Sequence, residues 1–199
     1  MPATVLVTGF GPFPGAPRNP TQPLVRTLTR SRHPGARVIG HVFRTSYASV
    51  DRELPALLER HQPDILLMFG LHGRARSLRI ETLAQNAVGR HRDATGALPK
   101  QSWIDPKAKA RIALPAHARR LLRAVPGAIL SRDAGKYLCN YLCWRASDAA
   151  KKPGGPRIAA FVHVPPVLDK SLPQGTKRLT PHRLEKAGAK LLAAISACR

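Results

Sequence analysis

The sequence predicts an α/β fold: a single-domain, three-layer α/β/α sandwich around a twisted, mostly parallel sheet. Two observations predict it. Short β-rich runs alternate with helical patterns along the chain, the order that builds parallel sheets. The chain has 199 residues, 43% of them apolar, which suits one domain with a full core. No internal repeat or low-complexity linker divides it, so residues 1–199 are read as one domain.

The strands come first. "ATVLVTGF" (3–10) reads as a strong buried strand. "ARVIGHVFRT" (36–45), "DILLMFGL" (64–71) and "SLRIETLA" (77–84) follow, then a short "AIL" (128–130) and "RIAAFVHV" (157–164). Helices lie between them. "TQPLVRTLTR" (21–30) is the first. In the second, Val50, Leu54, Leu57 and Leu58 share one face, with an irregular first turn expected at Pro55. Residues 115–125 and 137–152 make the third and fourth. The last opens at Pro181, capped by Thr180, with Leu184, Gly188, Leu191 and Ile195 facing inward. The stretches 86–113 and 168–180 have no periodicity and read as a functional loop or disorder and as an irregular segment.

Charge is the unusual feature. Lys and Arg number 33 against 11 Asp and Glu, a formal +22. Such an excess favours anionic partners, and nucleic acid is a secondary partner expectation. The cations are scattered singly or in pairs, and no zinc knuckle or RNP-like motif occurs. Aromatics are 5% of the chain, too few for a platform that stacks single-stranded bases. An Arg-rich solvated surface explains the same composition. No run approaches a membrane span, and the start "MPATVLVTGFGPF" lacks a charged region followed by a long apolar one, so no secretory signal is expected. Three cysteines are too few for a disulfide scaffold, so free thiols in a reducing, cytoplasmic setting are expected.

Ligands of open α/β sheets bind beyond the carboxyl ends of the strands. The first strand ends in "TGFGPFPG", a rigid turn with Phe10 and Phe13 as exposed rings, or as ordinary core. It lacks the spacing of a phosphate loop. His163 sits near the end of an apolar strand, and Glu81 within another, where a carboxylate needs a partner. Cys139 falls in the first turn of a helix after "DAG", where the orphan N–H groups and the dipole favour a thiolate. Cys143, one turn on, reads as core. A metal site would need two more soft ligands, for which Cys198 and His182 are candidates by type only, so neither metal nor cofactor is expected. Cysteine, histidine and glutamate together could serve as nucleophile, base and orienter.

Four segments in order carry a family resemblance: "VLVTGFGPFPG" with the following "NPT" (5–21), "FGLHG…IETLAQN" (69–86), "SRDAGKYLCN" (131–140) and "FVHVPP" (161–166). The chain resembles the pyroglutamyl-peptidase I family of cysteine peptidases. The resemblance implies hydrolysis of N-terminal pyroglutamyl residues from peptides. It implies Cys139, His163 and Glu81 as catalytic residues. Phe10 and Phe13 would flank the substrate ring, and Asn19, Gly70 and Leu71 would form walls or polar contacts. A homotetramer is compatible with it. Many members have Gln-Ala-Gly-Gly-Arg where this chain has Leu71–His72–Gly73–Arg74–Ala75, and Arg where it has Thr82. An arginine of the long loop is implicated in the family's site, and Arg90 and Arg92 bracket that place. Two alternatives stay open: a divergent, weakly active member that binds nucleic acid or other anions, and a thiol hydrolase of another lactam or amide.

Overall fold

The computed structural model describes residues 2–167 and 179–198. Of the irregular stretch 168–180, residues 168–178 lie outside the described residues. The elements run in chain order β1 (Ala3–Phe10), α1 (Thr21–Arg30), β2 (Ala36–Phe43), α2 (Tyr47–His61), β3 (Ile65–Leu71), β4 (Arg79–Glu81), β5 (Leu83–Gln85), β6 (Arg111–Ala113), α3 (Ala118–Ala124), β7 (Ile129–Ser131), α4 (Leu138–Ala149), β8 (Ile158–Val164) and α5 (Pro181–Ser196).

Six strands form the central sheet in the order β2-β1-β3-β8-β4-β7. β1 pairs in parallel with both β2 and β3, and β3 with β8. β4 runs antiparallel to β8, and β7 parallel to β4. The sheet is therefore mostly parallel with two reversed strands at one side. Leaving β1, the chain steps to one side through α1 and then back across β1 to β3 through α2. Right-handed crossovers put α1 and α2 on opposite faces. α5 packs between α1 and α3 on one face, and α2 packs with α4 on the other. Both faces being covered, Val5, Leu6 and Val7 are all fully buried.

Local chemistry sets most boundaries. Ser46 caps α2 by accepting from the Ser49 amide at 3.2 Å, and Thr180 caps α5 through the Arg183 amide at 3.3 Å. Gly188 lets α5 lie close on α1, since a Cβ there would stand 2.9 Å from Leu24 Cδ1. Three expectations change. α2 starts at Tyr47 and carries Pro55 in its interior rather than in an irregular first turn. α3 starts three residues late, because Pro115 cannot donate and His117 takes a left-handed φ of 45°. The run 77–84 divides at Thr82 into β4 and β5, and β5 leaves the sheet to pair with β6.

That second sheet orders part of 86–113. The Asn86 side chain accepts from the amides of Ile104 and Asp105 and donates to the carbonyls of Asp105 and Ala108. Asp93 Oδ1 accepts from the amides of Thr95 and Ala97 and the Thr95 hydroxyl. Two side chains thus fold a loop that has no periodic pattern.

Candidate active site

Three sheet strands and one helix meet at the site. In register, Gly70 of β3 lies beside His163 of β8, and His163 lies opposite Arg79 of β4. Glu81, two residues beyond Arg79, projects from the same face. His163 is 3% exposed and Glu81 fully buried. His163 Nδ1 donates to Glu81 Oε1 at 2.8 Å. A carboxylate can only accept, so Nδ1 carries the proton and Nε2 is left to face the sulfur of Cys139.

Cys139 reaches this point through a constrained turn. Ser131 ends β7, and Asp133 Oδ1 accepts from the Gly135 amide at 2.9 Å. Gly135 holds φ at +80°, a left-handed conformation open to glycine at little cost. α4 then starts at Leu138, so Cys139 stands in its first turn, half-buried. Asn140 fixes the same turn against the β5 end, accepting from the Gln85 amide and donating to the carbonyls of Gln85 and Ala87. On the other side of the thiol is Gly70. A Cβ there would lie 2.7 Å from Cys139 Sγ and 2.6 Å from Phe161 Cζ. Real Cβ atoms do not approach so closely, so a bare backbone at 70 makes room for the sulfur.

The electrostatics bind these groups together. Burial works to lower the pKa of His163. The charge and hydrogen bond of Cys139, then the hydrogen bond and charge of Glu81, outweigh burial and lift it to about 9. The imidazolium form is thus favoured near neutrality, next to the sulfur and the carboxylate. Arg79 adds a second cation, its Nε 3.7 Å from Glu81 Oε1 and its guanidinium donating to Ser131 Oγ at 2.8 Å. Cys143 differs from Cys139. It is fully buried, and desolvation, then the negative charge of Cys139, pushes its pKa well up.

The expected binding residues divide. Leu71 ends β3, half-buried, directly after Gly70. Phe13 is half-buried in the turn after β1. Phe10, expected as an exposed ring, is 2% exposed and packs on Phe43 with ring centroids 5.9 Å apart. β1 is covered on both faces, which buries Phe10, and the core expectation for that ring is the correct one. Asn19 braces the same turn: its Nδ2 donates to the Gly11 carbonyl at 3.1 Å, and its Oδ1 accepts from the amide and hydroxyl of Thr21. The exposed Arg92 turns its guanidinium to the Gly96 carbonyl, while its own carbonyl accepts from Tyr137 Oη. Arg90 is exposed beside Leu98–Ser102.

Sequence reasoning missed His72 and Arg79. The His72 ring stands edge-on to His163, centroids 5.2 Å apart, with its Nδ1 buried and without a hydrogen-bond partner among the described residues. Burial, then the charges of His163 and Arg79, lower its pKa, so it sits neutral beside a charged neighbour. For Arg79 a signal existed: i and i+2 of a strand share a face, which sets Arg79 next to Glu81. Thr82 bonds the Ser131 carbonyl through its hydroxyl and amide, both at 2.8 Å. Among the described residues no cluster of three metal-ligating side chains occurs, and no helix is long and apolar enough to cross a membrane.

Comparison with known proteins gives the chain its relatives. The pyroglutamyl peptidase family model matches residues 3–198. A pyrrolidone-carboxylate peptidase of Thermococcus litoralis is 34% identical over 167 residues, covering 81% of this chain and 76% of that protein. One from Pyrococcus furiosus is 32% identical, covering 81% and 80%. Among solved structures, the Thermococcus litoralis pyrrolidone carboxyl peptidase superposes with a TM-score of 0.87 at 28% identity, covering 96% of this chain and 92% of that one. Pyroglutamyl peptidase I of Bacillus amyloliquefaciens also gives 0.87, at 25% identity, covering 98% and 97%. By sequence and by fold, the chain belongs to the pyroglutamyl peptidase family.

Proposed function

We propose that this chain is a cysteine peptidase that removes an N-terminal pyroglutamyl (5-oxoproline) residue from peptides, with residues 1–199 acting as one peptidase domain. The observation that carries it is the unbroken line Cys139–His163–Glu81, drawn from α4, β8 and β4. Family membership supports the substrate class.

Cys139 is the nucleophile. Its sulfur attacks the pyroglutamyl carbonyl carbon, and the carbonyl π electrons move to oxygen. The amide of Cys139 lies in the first helical turn, where no carbonyl four residues back can accept it, so it is free to donate to that oxyanion. His163 donates its Nε2 proton to the departing amine, the C–N bond breaks, and a thioester remains. Water then attacks the thioester. His163 takes its proton, 5-oxoproline leaves, and the sulfur is restored. Glu81 holds Nδ1 and balances the imidazolium charge. The lactam is neutral and compact, which suits walls made by Phe13, Gly70 and Leu71, with Phe10 and Asn19 bracing the turn beneath them.

A cytoplasmic setting suits the three free cysteines. A homotetramer would need apolar contacts able to offset the repulsion of +22 charges per chain, and light scattering measures it. The test of the central proposal is hydrolysis of a pyroglutamyl aminomethylcoumarin amide beside Cys139→Ser. Turnover by the native chain and none by the variant supports it. No native turnover, or full turnover by Cys139→Ser, refutes it.

A further inference from the structure

The helices of the two layers differ sharply in charge. On the face formed by α1, α3 and α5, the helices carry eight exposed cations: Arg26 and Arg30 on α1, Arg119, Arg120 and Arg123 on α3, and Arg183, Lys186 and Lys190 on α5. One acid, Glu185, stands among them, and it accepts from Thr27. The opposite helices, α2 and α4, carry three cations, Arg52, Arg60 and Arg145, against four acids, Asp51, Glu53, Glu59 and Asp148. A uniform compositional bias toward arginine would load both layers alike. It does not account for one layer at eight to one and the other at three to four.

The basic layer also has a concave element. Arg183, Lys186 and Lys190 recur at i, i+3 and i+7, along one side of α5. With Arg76 from the β3–β4 connection they line a groove of about 330 Å³. Among the described residues no carboxylate pairs with any of these four. From Arg183 to Lys190 the helix rises about 10 Å, close to three steps of a duplex at roughly 3.4 Å each.

We propose that the α1–α3–α5 face is a docking surface for the phosphate backbone of double-stranded nucleic acid, separate from the peptidase site. Charge complementarity selects a polyanion. The three helices contain no Phe, Tyr or Trp, so unpaired bases have nothing to stack on and a duplex backbone is the better fit. The exposed large apolar residues, Leu98, Trp103, Ile129 and Leu130, all lie outside these helices, so the face has nothing to insert into a bilayer. Contacts to phosphate alone position a protein without reading sequence, so binding is sequence-independent and falls steeply with salt.

The test is fluorescence anisotropy of a labelled mixed-sequence duplex across a salt series. The native chain is compared with Arg183→Glu/Lys186→Glu/Lys190→Glu and with a control of equal charge change on the other side, Arg60→Glu/Lys100→Glu/Lys151→Glu. Each phosphate contact contributes about 0.9 to the slope of log K against log salt, so the α5 variant should lose roughly 2.7 from the slope and the control less than about 1. A Gln triple at the same α5 positions should lose slope likewise. Unchanged melting and pyroglutamyl-amide turnover in the variants would show that docking and peptidase activity are separable. No duplex binding by the native chain overturns the proposal. So does equal loss in the two Glu triples, or binding to phosphatidylserine vesicles with none to the duplex.

Discussion

Replacing Gly70 by alanine should disable the enzyme without touching a catalytic side chain. The added Cβ would lie 2.7 Å from Cys139 Sγ and 2.6 Å from Phe161 Cζ. Ordinary contacts between such atoms are about 3.5–4.0 Å, leaving a shortfall of about 1 Å. Phe161 is fully buried in the core and cannot swing away. The sulfur, half-exposed at the start of α4, is the group that yields. A misplacement of about 1 Å at a reacting atom costs on the order of a hundredfold in rate. Overpacking also costs about 1–3 kcal/mol, which for a chain of this size lowers Tm by roughly 2–12 °C. Hydrolysis of a pyroglutamyl aminomethylcoumarin amide should show kcat reduced about a hundredfold in Gly70→Ala, with a cooperative melt retained. A Gly70→Ala enzyme with native kcat and native Tm would refute the assignment of Gly70 as the space for the thiol.

Other outcomes follow from the same geometry. Iodoacetamide should alkylate Cys139 much faster than the buried Cys143, whose pKa is pushed up; peptide mass mapping that finds equal rates would count against an accessible nucleophile at 139. The His163 pKa is raised to about 9, so its contribution to stability is complete below the ordinary histidine pKa of about 6.5 and is lost as pH rises through about 9. Turnover should fall over that same alkaline limb. Because Glu81 helps raise the His163 pKa, Glu81→Gln should move the limb to lower pH, and a pH–rate profile that keeps its limb in place would contradict this. Arg79→Met leaves Glu81 with one fewer cation, which should destabilise the fold by about 1–3 kcal/mol in urea unfolding; a native midpoint would show that the 3.7 Å pair contributes nothing.

Much of the frame is legible in the sequence because its signals are local. The bounds of α1 (Thr21–Arg30) coincide with the polar-apolar pattern, and α5 begins at Pro181 because Thr180 caps it. The loop 86–113 is opaque for the opposite reason. Its order comes from single buried side chains, Asn86 and Asp93, whose partners are mostly backbone groups with no pattern to recognise. Phe10 shows a third case: a ring in a Gly-Pro turn looks exposed until the strand register points it inward against Phe43.

The sequence by itself determined the alternating α/β order, the Thr180 cap of the last helix, the family and the identities of Cys139, His163 and Glu81 as candidates. Each of these depends on residues close in sequence or on strings that can be matched. Tertiary structure alone decided that β3, β8 and β4 lie side by side, which sets Gly70, His163 and Arg79 in one row. It also decided the 2.8 Å bond to Glu81, the edge-on His72, and the gathering of the cation-rich helices α1, α3 and α5 onto one face. Strand order and side-chain direction across a sheet are set by which faces must be buried together. That is a property of the whole packed chain, and no segment of it carries the answer.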